Sequence, residues 1–112
     1  MKITIIGTGY VGLVSGACLA DLGFDVTCVD LDVKKLRNLK KSILPFYEPE
    51  LSEYVKRNLR EGRLHFSNVL KRSLVGSKII FITVGTPCDL GTGRASLKDL
   101  YSALDCIFPF LD

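Results

Sequence analysis

Residues 3 to 12 restrict the fold more than any other stretch of the chain. Ile3 to Ile6 is a short, unbroken apolar run that stops at Gly7, and Gly7-Thr8-Gly9-Tyr10-Val11-Gly12 follows at once. A run of that length without polar alternation suits a strand buried on both faces. The spacing predicts a helix from Tyr10 to Leu22, with Gly23 as its C-terminal cap. A strand turning directly into a helix is one arm of a βαβ unit, so the rest of the chain is read for more of them.

They recur. Val26 to Val29 reads as a second strand ending at Asp30, and Asp32 is placed to cap a helix through Leu39. Ser42 to Tyr47 is a loop because Pro45 interrupts any helix there. Pro49 opens a helix to Glu61, with Glu50 and Glu53 near its start and Lys56, Arg57 and Arg60 near its end. That is the charge order the helix dipole favours. Beyond Gly62, the pattern predicts a strand at Leu64 to Phe66, a short helix at Asn68 to Val75 and an apolar strand at Ile79 to Val84. A loop at Gly85 to Gly93 and a helix through Ile107, opened by a capping box at Ser96, complete it. Alternating strands and helices argue for an α/β fold: a Rossmann-like, doubly wound parallel sheet, truncated after about four strands.

Composition excludes other classes. With 112 residues, 47% hydrophobic and 24% charged, the chain is expected to be one globular domain over residues 1–112. The net charge of +3 is mild, and the basic residues lack the interleaved aromatics of a single-strand binder, so nucleic acid is not an expected partner. Cys18, Cys28, Cys88 and Cys106 lack metal-site or redox-motif spacing, so no metal is expected. Cys18 and Cys28 read as small buried hydrophobes. No signal peptide or membrane span is apparent, which leads to a cytoplasmic expectation with reduced thiols.

The glycine loop carries the chemistry. G-x-G-x-x-G is weak alone in a chain with 10 glycines, but its place between strand and helix is what the mechanism requires. Gly7 permits the tight turn, Gly9 lets the backbone approach a pyrophosphate, and Gly12 lets helix and strand pack closely. The helix N-terminus offers free N–H groups and partial positive charge to phosphates. Asp30 stands where a carboxylate can accept from adenosine ribose hydroxyls, and it would repel a 2′-phosphate. NAD is therefore favoured over NADP, with Lys34 and Lys35 able to soften the repulsion. The competing reading is a turn residue beside a loop merely shaped by glycines.

Two features suggest missing neighbours. The first helix is apolar or small nearly all round, as in a helix buried on more than one side. The strand Ile79 to Val84 is apolar on both faces and lacks the charges that protect a sheet edge. Both fit the amino-terminal part of a longer enzyme; the alternative is a homodimer formed through these surfaces.

Gly7-x-Gly9-Tyr10-Val11-Gly12-Leu13, followed by Val29-Asp30-x-Asp32 with Lys35, resembles the amino-terminal NAD domain of the nucleotide-sugar dehydrogenases. Three later segments agree: Pro45-x-Tyr47-Glu48-Pro49-x-Leu51, Gly62-Arg63-Leu64-x-Phe66-Ser67 and Phe81-Ile82-x-Val84-Gly85-Thr86-Pro87. They tilt the resemblance to the UDP-glucose 6-dehydrogenase branch of the UDP-glucose/GDP-mannose dehydrogenase family, over nearly the whole chain to about Leu104. The resemblance implies oxidation of a sugar 6-hydroxymethyl group to a carboxylate by two hydride transfers to NAD, through a cysteine thioester. It also implies cofactor contacts at Tyr10 and Val11 in the loop, at Asp30 and Lys35 on the adenosine ribose, and at Val84, Gly85 and Thr86 beyond the fourth strand. The family's catalytic cysteine and its nucleotide-sugar domain have no counterpart in these residues, so no catalytic residue is expected here and the chain alone is expected to be inactive. Neither Cys88 nor the lone His65 matches a catalytic position, and Cys88 to Arg94 follows no assignable pattern. A reading from another class is a non-catalytic nucleotide-sensing module like the regulatory domains of potassium channels. The helix from Glu48 to Glu61 argues against it.

Overall fold

The computed structural model describes residues 1–83 together with Tyr101, Leu104 and Asp105. Its elements are β1 (Lys2–Ile6), α1 (Tyr10–Asp21), β2 (Asp25–Val29), α2 (Val33–Lys40), α3 (Pro49–Arg60), β3 (Leu64–Ser67), α4 (Leu70–Leu74) and β4 (Ile79–Ile82). The four strands form one parallel sheet in the order β3-β2-β1-β4. The expected α/β architecture is thus present, with every expected element through β4 found in the expected order. The Gly85–Gly93 loop lies outside the described residues, as does the last helix apart from Tyr101, Leu104 and Asp105, which have helical backbone.

Strand periodicity divides the core. Ile3 and Ile5 of β1, Val26 and Cys28 of β2, and Leu64 and Phe66 of β3 face one side. There they meet Leu13 and Ala17 of α1, Leu36 and Leu39 of α2, and Leu51 and Val55 of α3 in the main cluster. The opposite face is thinner: Ile6 packs on Leu74 of α4, with Leu70, Ile80 and Ile82 against them. Winding therefore reverses between β1 and β4, the switch point at which open α/β sheets bind ligands beyond the carboxyl ends of their strands.

Several local expectations need correction. α1 buries Gly12, Leu13, Gly16, Ala17 and Ala20, a single stripe of 3.6-residue period, while Val11, Cys18 and Leu22 are exposed. The helix is therefore covered on one side among the described residues, and Cys18 is not a core residue because it falls opposite the stripe. Cys28 is buried as expected. β4 ends at Ile82, short of Val84. α4 begins only at Leu70, because Ser67 Oγ accepts from the Val69 amide at 3.0 Å and holds the preceding turn out of the helix. Among the described residues, no helix is long and apolar enough to cross a membrane.

Candidate functional site

The carboxyl ends of three adjacent strands converge, since Ile6 pairs with Val29 on one side and Ile82 on the other. Each strand contributes the residue or turn that follows it. After β1, Gly7 adopts φ +104° and donates its N–H to Val29 O at 2.8 Å. A side chain would resist that left-handed conformation, and an added Cβ would also stand 2.9 Å from Thr83 O. Gly12 is required for space: a Cβ there would collide with the Gly7 carbonyl and Thr83 Oγ1. Gly9 differs from both. Its φ of −71° suits any residue, and a Cβ would meet no atom within 4 Å. The space over Gly9 is open, as an approaching ligand requires.

Gly9 is the N-cap of α1, where no side chain caps the helix and no acidic residue occupies the first turn. The N–H groups of the first turn have no partner within the helix, and no acid of the helix itself offsets the positive end of its dipole. Tyr10 and Val11, on that first turn, are 58% and 64% exposed. The Tyr10 ring tilts against Phe46, centroids 5.1 Å apart, so it leans on the α2–α3 loop. What Tyr10 and Val11 offer at the helix N-terminus is backbone N–H.

Asp30 follows β2, its side chain 19% exposed. Oδ2 accepts from the Thr8 amide at 3.1 Å and from the Thr8 hydroxyl, while Oδ1 accepts from the Asp32 amide at 3.0 Å. Lys35 Nζ stands 3.6 Å from Oδ2. Burial pushes the Asp30 carboxyl up. The Thr8 hydroxyl, the Asp32 amide, the Lys35 charge and the Thr8 amide together outweigh it and hold the group below the ordinary aspartate range. The site therefore carries a fixed anion beside the electropositive helix end. Lys35 comes to Asp30 because Asp32 Oδ1 caps α2 through the Lys35 amide at 3.0 Å, which seats Lys35 in the first turn.

Of the residues expected from sequence, Gly7, Gly9, Tyr10, Val11, Gly12, Asp30 and Lys35 gather around this opening, whereas Val84, Gly85 and Thr86 lie outside the described residues. Thr8 and Thr83 were missed. Thr83 Oγ1 donates to Ile6 O at 3.0 Å and to Gly7 O at 3.2 Å, clamping the loop to the end of β4. Its only sequence signal was its place at the end of an apolar strand. Cys28 is unsuited to nucleophilic work, since burial pushes its thiol up to about 12. His65 Nε2 lies 3.0 Å from Asp25 Oδ1 on the sheet surface, outside the opening. A dinucleotide fits these features: an uncapped helix N-terminus for phosphate, open backbone at Gly9, and an ionised acceptor at the end of β2.

Known proteins agree. The profile of the "UDP-glucose/GDP-mannose dehydrogenase family, NAD binding domain" matches residues 1–112. UDP-glucose 6-dehydrogenase of Rhizobium meliloti is 52% identical over 103 residues, 92% of this chain and 24% of that protein. The enzyme of the same name from Rickettsia conorii is 49% identical over 112 residues, 100% of this chain and 26% of its own. Among solved structures, GDP-mannose dehydrogenase from Pseudomonas aeruginosa superposes with a TM-score of 0.87 at 32% identity, covering 92% of this chain and 23% of that one. A UDP-glucose dehydrogenase from Pyrobaculum islandicum gives 0.85 at 32% identity, with 91% and 23% covered. The chain spans about a quarter of the length of the curated relatives it matches. With fold and loop in agreement over the described residues and the profile along the whole chain, the chain belongs to the UDP-glucose/GDP-mannose dehydrogenase family, as its NAD-binding domain.

Proposed function

We propose that residues 1–112 act as one domain that holds NAD for a UDP-glucose 6-dehydrogenase. In this reading Gly7, Gly9 and Gly12 with the backbone of Tyr10 and Val11 receive the pyrophosphate, and Asp30, backed by Lys35, receives the adenosine ribose. Val84, Gly85 and Thr86 line the cofactor beyond β4. Bound NAD would accept hydride from the sugar's 6-hydroxymethyl carbon; the residues here bind and orient it. The reaction of the whole enzyme is UDP-glucose and two NAD going to UDP-glucuronate and two NADH, in the cytoplasm. The nucleotide sugar is gripped by further domains, and a second copy of the chain is a partner of the assembled enzyme. The relatives named UDP-glucose 6-dehydrogenase at about half identity support this substrate over other nucleotide sugars. The potassium-channel type of sensing module is not favoured, since a dehydrogenase profile accounts for all of the chain.

One observation carries the reading: an ionised Asp30 beside an uncapped helix N-terminus, with open space over Gly9. Calorimetric titration of the chain with NAD and with NADP tests it. Saturable binding of NAD, tighter than NADP, is expected, because the Asp30 carboxylate would face a 2′-phosphate. Equal or tighter NADP binding, or none by a sample folded by circular dichroism, would refute it. The same protein mixed with NAD and UDP-glucose should form no NADH.

A further inference from the structure

Thr8 occupies a variable position of the glycine loop, where phosphate binding makes no demand for a hydroxyl. Its side chain is nonetheless wholly buried, and it is spent on a single partner 22 residues away. Amide and hydroxyl both donate to Asp30 Oδ2, while the Asp32 amide donates to Oδ1. An ionised carboxylate has about four acceptor sites. Three neutral donors of the protein occupy most of them, leaving about one site, on Oδ1, for a donor from outside. An aspartate at a strand end without such partners would sample several rotamers; this one cannot turn without breaking the bonds to Thr8.

We propose that Thr8 is a positioning residue for cofactor binding: by holding Oδ2 of Asp30 it presents Oδ1 as the acceptor for one ribose hydroxyl. The inference rests on the NAD reading above. Thr8 itself touches no cofactor; it acts through Asp30. The same pair of bonds ties the loop after β1 to the end of β2, so the ribose acceptor and the N-terminus of α1 keep a fixed separation before ligand arrives. Preorganisation of this kind removes an ordering cost from binding.

The test is NAD calorimetry on the 112-residue chain and its Thr8→Val, Thr8→Ser, Asp30→Ala and Thr8→Val/Asp30→Ala variants, each checked for folding by circular dichroism. Valine keeps the shape of threonine and removes the hydroxyl, so Thr8→Val should weaken NAD binding about tenfold, as loss of a charge-assisted hydrogen bond does. Serine should restore affinity to within about twofold of the parent. The double variant should bind no more weakly than Asp30→Ala, since residues acting through one another are not additive. Parent-like affinity in Thr8→Val overturns the inference, and so does a double variant in which the two losses multiply. If Thr8→Val does not fold, Thr8→Ser decides, a tenfold loss there being equally fatal. Absence of NAD binding by the parent chain would sink the functional reading itself, whereas the other failures leave that reading standing.

Discussion

Gly9 and Gly12 belong to one motif yet are needed for different reasons. A Cβ on Gly12 would overlap the Gly7 carbonyl and Thr83 Oγ1, so Gly12→Ala must displace backbone, at a cost of about 3 kcal/mol. Gly9→Val meets nothing in the protein and should cost only about 1 kcal/mol, the loss of a favourable N-cap residue. Its NAD affinity should nevertheless collapse, because the branched side chain would enter the open space proposed for the pyrophosphate. Urea unfolding beside calorimetry separates the two, and a Gly9→Val protein that binds NAD normally would show that the opening serves something else. Asp30 makes a second prediction. Its folded pKa is depressed, so its contribution to stability is complete above the unfolded value of about 3.9 and is lost as pH falls through the lower folded value. Urea unfolding should show stability falling as pH drops below about 4, and falling less steeply in Asp30→Asn. The shape of the glycine loop and the place of Asp30 at the end of β2 were legible because both follow from backbone geometry and short spacing. Thr8 and Thr83 were not, because their bonding partners come from 22 and 77 residues away and no local pattern announces them.

Three helices end in the same way. After α1, α2 and α3, residues Gly23, Ser42 and Gly62 have positive φ, and paired amides turn back onto the last helical carbonyls. For α2 these bonds run from Ser42 N to Leu39 O and from Ile43 N to Asn38 O, both 2.9 Å. The two glycines signalled helix ends in the sequence, and the ends fall within a residue or two of the expected positions. Serine at the third gives no such signal, and there the proline downstream marked the loop instead. Ser42 at φ 63° carries a steric penalty that glycine avoids, so Ser42→Gly should stabilise the protein by about 0.5–1 kcal/mol, read from its urea midpoint. Packing between elements was less legible. Wholly buried Asn58 of α3 donates to Asp21 Oδ1 at 3.1 Å and Tyr54 O at 2.8 Å, and accepts from Arg63 Nε at 3.1 Å, pinning α3 to the end of α1. A polar residue on a helix reads as solvated until its partners are known. Asn58→Ala should cost about 1–3 kcal/mol in the same unfolding assay without changing NAD affinity, because its neighbourhood is remote from the loop.

Across the whole molecule the two sheet faces are unequal. One carries the main cluster under α1, α2 and α3, and the other has, among the buried apolar residues described, only Ile6, Val29 and Leu74. β4 is the weakly held strand: it pairs with β1 alone among the described residues, and Ile79 and Phe81 on its other side stand exposed. The parallel order and winding were readable from the alternation of strands and helices. The uneven covering was not, since an apolar strand looks the same whether or not a helix lies over it. The binding opening spans this unevenness, because its loop is bonded to Val29 at the end of β2 and, through Thr83, to the end of β4. A ligand seated there braces the strand ends together and binds only the folded state. At one hundred times its dissociation constant, NAD should add about 2.7 kcal/mol. For 112 residues that corresponds to a rise of about 10 °C in unfolding temperature. NADP at the same concentration should raise it less, and Asp30→Ala should narrow the difference between the two cofactors, because the carboxylate proposed to discriminate them is gone. A thermal scan in which NAD and NADP shift the parent equally would place the discrimination elsewhere than at the end of β2.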